Sequence, residues 1–357
     1  MKQYFALGSY TEPILFGTGE VFQGKGTGVT ICSFEEGDIK AVHSIAVVNP
    51  SFLCIDEAKR KIYAVNERKT YRGEEGGGVT QLCYDAEYAL RVQGDWNTGG
   101  KDPCHIAIAP NGRFLAISNF ASGSVSVFPL EENGDVRGDR QVFAHEGKSA
   151  HPVRQRGPHA HSCVFSQEDG LLYVPDLGTD QIAAYRYAGA QLERQPALDI
   201  PVPPGSGPRY GEFSRDGKHF YLMEEISSQV AHFTRENGRL IPQQAVSTLP
   251  EDFSGGNIGS DLHLTPDGAY LYAANRGHES IACYRVAANG ALTFLSRQPC
   301  GGRTPRNFAI DPTGRFLLVG NQDSDTICVF RIQADGSLRR INETQTGSPV
   351  CIRFFLS

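Results

Sequence analysis

Six stretches of the chain share one pattern, and the residues that depart from it are the ones able to do chemistry. Counting back four residues from the last apolar residue of each leading strand (Ile55, Ile108, Phe165, Phe213, Leu264 and Ile310) gives Ser51, Cys104, His161, Arg209, Ser260 and Arg306. A second column, one place beyond the polar residue that closes the following strand, reads Glu67, Phe120, Leu177, Glu225, Arg276 and Gln322. A residue type that recurs down a column serves the repeat, whereas one that breaks the column is a candidate for a single site of the whole molecule. Histidine titrates near neutral pH and can move a proton. Arginine presents a planar fork of donors that suits a carboxylate, a phosphate or a developing oxyanion. His161, Arg209 and Arg306 are therefore expected to face one cavity. His159, two residues before His161, would lie on the same face of an extended strand.

The elements that must position these residues follow from the repeat. Residues 103–128 read PCHIAIAPNGRFLAISNFASGSVSVF and 305–330 read PRNFAIDPTGRFLLVGNQDSDTICVF; related copies begin at 49, 157, 207 and 259. Each is an alternating strand, a turn with glycine (Asn-Gly, Asp-Gly or Thr-Gly in most copies), a second strand ending in Asn, Asp or Glu, and a third rich in β-branched and aromatic residues. The copies recur at roughly 50 residues, the period of propeller blades. The C-terminal SPVCIRFF supplies one further strand, and the N-terminal YFALGSY, GVTICSF and IKAVHSIAVV supply three. Together they make a seventh blade, which predicts a single all-β domain over 1–357, a seven-bladed β-propeller of four-stranded antiparallel blades closed like a clasp. In that fold the leading strand of each blade borders the central channel and opens at its mouth. The polar column Asn66, Asn119, Asp176, Glu224, Asn275 and Asn321 reads as turn hydrogen bonding. The glycine-rich, charged stretches 12–28 and 68–78 read as surface loops.

Composition narrows the partners. The 357 residues carry a net charge of −6 with no long basic run, which argues against nucleic acid. The apolar run at the start is too short for a signal peptide and no stretch reaches transmembrane length, so a soluble, cytoplasmic protein without membrane contact is expected. Nine cysteines without a CxxC read as buried free thiols in a reducing compartment.

Other chemistries have less support. His159 and His161 lack a third ligand at a metal-binding spacing, so neither a metal nor another cofactor is expected. Gly24-Lys25-Gly26-Thr27-Gly28 lacks the ending of a phosphate loop and reads as flexible. No serine occupies a nucleophile elbow.

HPVRQRGPHAHSC at 151–163, VPDLGTDQI at 174–182, GPRYGEF at 207–213, ANRGHESI at 274–281 and the opening GSYTE at 8–12 together resemble the lactonase family of seven-bladed propellers, over essentially the whole chain. That family includes bacterial 6-phosphogluconolactonases and fungal carboxymuconate-lactonising enzymes. The resemblance implies a catalytic set of His161, Arg209, Glu225 and Arg276. It adds His105 and Arg306 as phosphate neighbours; Arg154, His159 and Glu67 complete the expected substrate-binding group. Stretch 12–28 departs from the family pattern at the rim. The implied reaction is hydrolysis of a small sugar-acid lactone, with 6-phosphogluconolactone the leading substrate. His161 is the preferred general base because its ordinary pKa lies near neutrality. Glu225 would orient it or act in its place, and the arginines would polarise the carbonyl or clamp an anionic group. Behind this stand a carboxymuconate-type cycloisomerase, another aldono- or aldarolactonase, and a propeller that only binds a partner, since fold does not fix function.

Overall fold

The computed structural model describes residues 2–16, 19–236 and 238–356. Among these, the strands gather into seven sheets of four or five antiparallel strands and two short hairpins. The inner strands of blades one to six are Leu53–Asp56, Pro103–Ile108, Val164–Phe165, Pro208–Phe213, Ile258–Leu264 and Pro305–Ile310. The seventh sheet is ordered Pro349–Phe354, Gln3–Ser9, Val29–Glu35, Asp38–Ile45, with Phe5 opposite Phe354 and Leu7 opposite Ile352. Both ends of the chain thus share one sheet, and the inner strands pack side by side around the ring.

Burial explains the strand patterns. Second strands such as Lys61–Asn66 and Phe114–Asn119 are buried at every position because each blade is covered on both faces by its neighbours. Outer strands such as Asp38–Ile45 are mostly exposed, and there the polar residues return. The core is a series of clusters between adjacent blades: Ala116, Val127 and Leu172 join blades two and three, and Phe34, Phe316 and Ile352 join six and seven.

A tyrosine in the second strand of four blades links each to the next. The hydroxyls of Tyr63, Tyr221 and Tyr272 donate to the carbonyls of Gly134, Gly290 and Gly336 at 2.5, 2.9 and 2.8 Å, and Tyr173 reaches Gly238 at 3.5 Å. A buried hydroxyl is tolerated only with such a partner. The polar column makes the expected bonds across the turn, Asn119 Nδ2 donating to Ser124 Oγ at 3.2 Å and Asn275 Nδ2 to Ser280 Oγ at 3.3 Å, and Asn275 Nδ2 also reaches the Thr248 carbonyl at 3.1 Å.

Two expectations change. The inner strand of blade three shrinks to Val164–Phe165, preceded by a single bridge between Ala160 and Asp176. Asp176 Oδ1 accepts the amides of His159, Gly178 and Thr179, which ties the residues ahead of the strand to the end of the second strand. The stretch 12–28 is not merely a surface loop. Ile14–Leu15 pairs with Val21–Phe22, and the segment after it is a packed strap: the Gly26 amide donates to the Tyr10 carbonyl at 2.7 Å. A Cβ on Gly26 would lie 2.2 Å from the Ser9 Cβ, so close packing, not flexibility, accounts for that glycine. Stretch 68–78 holds a hairpin of Thr70–Tyr71 with Glu74–Glu75.

Candidate functional site

The mouth of the channel holds a cavity of about 970 Å³ lined by residues of blades one to six and by the N-terminal hairpin. Beneath it the channel is filled. The rings of Phe52 and His105 lie 4.1 Å apart, Arg353 covers the Phe52 ring at 4.3 Å, and Tyr210 meets His263 edge-on at 5.4 Å. His263 is wedged between Glu212 Oε2 at 2.8 Å and Asp261 Oδ2 at 3.2 Å. Burial opposes its charge, but the two carboxylates outweigh burial and raise its pKa to about 9.

On one wall the side chains converge on Glu225. Its backbone is pinned just past the second strand of blade four, the amide donating to Gly207 and the carbonyl accepting from Gly259, at 2.7 and 2.9 Å. Arg154 pairs with Oε1; Arg209 Nε and Arg276 Nη2 each lie 2.9 Å from Oε2. His161 Nε2 is 4.0 Å from the same oxygen. Arg154 is delivered by a loop fastened through Gln155, whose side chain donates to the Leu177 carbonyl at 2.8 Å. Burial would raise the Glu225 pKa, but Arg154, Arg276 and Arg209 overcome it and hold the carboxyl well below its ordinary range. Burial presses Arg276 down to about 9, so it remains a cation at neutral pH.

Burial, reinforced by Arg209, pushes His161 well below the ordinary histidine value. His161 is therefore not poised at its midpoint near neutrality: burial and Arg209 favour its neutral imidazole. Its Nδ1 lies 3.7 Å from the Cys104 thiol, which forms part of the cavity lining, and its ring meets Phe120 edge-on at 5.4 Å.

The facing wall is built around Glu67. The Tyr10 hydroxyl donates to Glu67 Oε2 at 2.7 Å, and Arg306 Nη2 reaches that oxygen at 3.4 Å. Burial opposes the Arg306 charge, but Tyr10 and Glu67 raise its pKa overall. Leu15, Phe16, Val21 and Phe22 of the hairpin add an apolar side, and Asp102, bound to Lys69, lies at the rim.

Seven of the nine residues expected from sequence thus line one cavity: Glu67, Arg154, His161, Arg209, Glu225, Arg276 and Arg306. His159 and His105 do not. Ahead of blade three, His159 stacks on the Phe120 ring at 4.5 Å, where Nδ1 donates to the Phe120 carbonyl at 2.9 Å. His105 lies one layer deeper, with Nδ1 accepting the Cys163 amide at 3.2 Å, and burial and Arg353 push its pKa well down. A neutral imidazole beneath the floor is no partner for a phosphate. Sequence reasoning missed Tyr10, Cys104 and the hairpin. The apolar letters at 14–16 and 21–22, inside an otherwise polar stretch, were the available signal for the hairpin. Among the described residues, no three His, Cys, Asp or Glu side chains gather as a metal site.

The arrangement offers a neutral base, a fixed anion beside it, and several cationic donors at a protected mouth. The chain as a whole is similar to known proteins. A family model described as Lactonase, 7-bladed beta-propeller, matches residues 4–354. The 6-phosphogluconolactonase of Bacillus subtilis is 31% identical over 253 residues, 70% of each chain. That of Formosa agariphila is 33% identical over 287 residues, 77% of this chain and 79% of its own. The solved structure of the periplasmic gluconolactonase of Pseudomonas aeruginosa covers 99% of each chain with a TM-score of 0.91 at 33% identity. Fold, clasped ring and sequence match agree from one end to the other: this chain belongs to the seven-bladed β-propeller lactonase family.

Proposed function

We propose that this protein hydrolyses a sugar-acid lactone, with 6-phosphogluconolactone as the leading substrate. The observation that carries this reading is the Glu225 cluster, a buried carboxylate ringed by Arg154, Arg209 and Arg276 with His161 beside it. In lactone hydrolysis, water adds to the carbonyl carbon, the carbonyl oxygen becomes an oxyanion, and the ring C–O bond then breaks as its oxygen takes a proton. His161 accepts the proton from water. It is unprotonated at neutral pH, so no prior deprotonation is needed, and Glu225 at 4.0 Å is the counter-ion for the imidazolium that forms. Glu225 itself is a poor base, because both oxygens are held by guanidinium groups. Arg209 and Arg276 face the oxyanion. Arg306, on the facing wall, takes the anionic group at the other end of the substrate.

A cytoplasmic setting fits the nine free cysteines, all buried or half-buried. The Pseudomonas neighbour is a periplasmic gluconolactonase, so unphosphorylated gluconolactone is the substrate to compare.

The test is hydrolysis of freshly generated 6-phosphogluconolactone and of gluconolactone by wild type and Arg209→Ala, with the spontaneous rate subtracted. Wild type is expected to prefer the phosphorylated lactone, and Arg209→Ala to lose about 10²-fold or more, the usual effect of removing an oxyanion donor. A wild-type rate no greater than the spontaneous rate on either lactone would overturn the proposal.

A further inference from the structure

Arg306 sits where the N-terminal hairpin meets the facing wall. Its guanidinium carbon is 5.1 Å from the centre of the Tyr10 ring and 5.3 Å from that of Phe16. Glu67 is the carboxylate beside it, yet the Arg306 contact is 3.4 Å, whereas the Tyr10 hydroxyl holds the same Glu67 oxygen at 2.7 Å. An arginine left to itself beside a buried carboxylate makes two parallel hydrogen bonds at shorter range. Here the two rings engage the guanidinium, and stacking of that kind leaves its in-plane N–H groups directed sideways. Arg306 lines the cavity, and its side chain is 11% exposed. Phe16 is itself well placed, with its ring 6.0 Å from Tyr10 and 6.1 Å from Phe22, and its amide donating to the Glu20 carbonyl at 2.9 Å.

We propose that Phe16 is the positioning residue that sets this site's preference for an anionic lactone, by holding Arg306 away from a tight pair with Glu67 and open to the substrate's anionic group. The inference rests on reading the cavity as the lactone site. Without the aromatic face, the guanidinium drops onto Glu67 and its charge is spent within the protein. Selectivity for a charged substrate then resides in the hairpin, outside the blades and apart from the groups that act on the carbonyl.

The experiment is calorimetric titration of wild type, Phe16→Leu, Phe16→Trp, Arg306→Gln and the Phe16→Leu/Arg306→Gln double variant with 6-phosphogluconate and with gluconate. Steady-state kinetics on the two lactones run alongside. Leucine retains the packing against Tyr10 and Phe22, so folding is preserved while the π face is lost. Phe16→Leu is expected to weaken 6-phosphogluconate binding about five- to thirtyfold, the range that cation–π contacts supply, and gluconate less than about twofold. KM for the phosphorylated lactone rises with kcat little changed, Phe16→Trp restores both, and Phe16→Leu adds nothing once Arg306 is gone. Equal weakening of both ligands, or effects of Phe16→Leu and Arg306→Gln that simply add, would overturn the proposal. Because binding is read without turnover, the two ideas separate. A protein that binds 6-phosphogluconate through Phe16 and Arg306 but hydrolyses neither lactone contradicts the proposed function and not the positioning role.

Discussion

The two walls of the cavity use the same residue types to opposite ends. At Glu225, Arg154, Arg209 and Arg276 close on one carboxylate and fix its position and charge. At Glu67, a neutral tyrosine takes the short hydrogen bond, and the arginine, stacked against rings, stays at 3.4 Å. The first arrangement is a rigid electrostatic frame beside His161, and the second keeps a cation available. An ion pair in a cleft therefore says little by its presence. How many partners each charge already has decides how firmly it is held, and an arginine that gives one donor to a carboxylate, as Arg209 and Arg276 do to Glu225 Oε2, keeps others for a ligand.

The largest way to break this contrast is Glu225→Gln. Removing the shared countercharge leaves three guanidinium groups crowded together, and losing one partner of a buried ionic network typically costs about 3–5 kcal/mol. A fall in stability of that size, measured by denaturant titration, should accompany a loss of activity of about 10³-fold or more, since the frame beside His161 goes with it. Glu67→Gln, by contrast, retains a side chain that can accept the Tyr10 hydroxyl and should change kcat/KM by less than about tenfold.

His161→Asn comes next, expected to lower kcat by about 10²- to 10⁴-fold with KM little changed, as for removal of a general base. His105→Asn, one layer below, should affect stability and leave kcat within a small factor. The pH profile sharpens the same point. Because burial and Arg209 push His161 down, the acid limb of kcat/KM should lie below the ordinary histidine value of about 6.5. An acid limb at or above that value, abolished in His161→Asn, would contradict the assignment.

Stability against pH has two histidine limbs of opposite sign. His263, raised to about 9 in the fold, stabilises fully below the unfolded value of about 6.5, and that contribution is lost as pH rises through about 9. His232, whose Nε2 faces His219 Nδ1 at 3.0 Å, is lowered to about 4 by burial and by His219. Its contribution is present above about 6.5 and is lost as pH falls through about 4. Thermal denaturation across pH should show His263→Gln flattening the alkaline limb and His232→Gln flattening the acid limb. The smallest effect is expected from Tyr272→Phe, which leaves the Gly336 carbonyl without this donor and should cost about 1–3 kcal/mol with activity intact.

Much of this was legible in the sequence because a repeat compares itself. The ring, the clasp and the mouth position of His161, Arg209 and Arg306 follow from columns in which other blades place serine or cysteine. Glu225 and Arg276 stood out in the second column for the same reason. His159 was misplaced because alternation assumes a regular strand, whereas the regular strand begins only at Val164 and the Phe120 ring and carbonyl hold the His159 imidazole. His105 was expected from the family resemblance and not from any column: one residue along from Cys104 in the same strand, it lies in the layer beneath the cavity. The hairpin escaped notice because two-residue strands are too short for any periodicity to register. Nor could the sequence show that His161 is neutral, since that depends on burial and on an arginine 48 positions away in the chain.

The most direct test of the account is a crystal structure of the protein soaked with 6-phosphogluconate. The account predicts the carboxylate within hydrogen-bonding distance of Arg209 and Arg276, close to His161, and the phosphate against Arg306. A ligand bound the other way round, or outside the channel mouth, would contradict it.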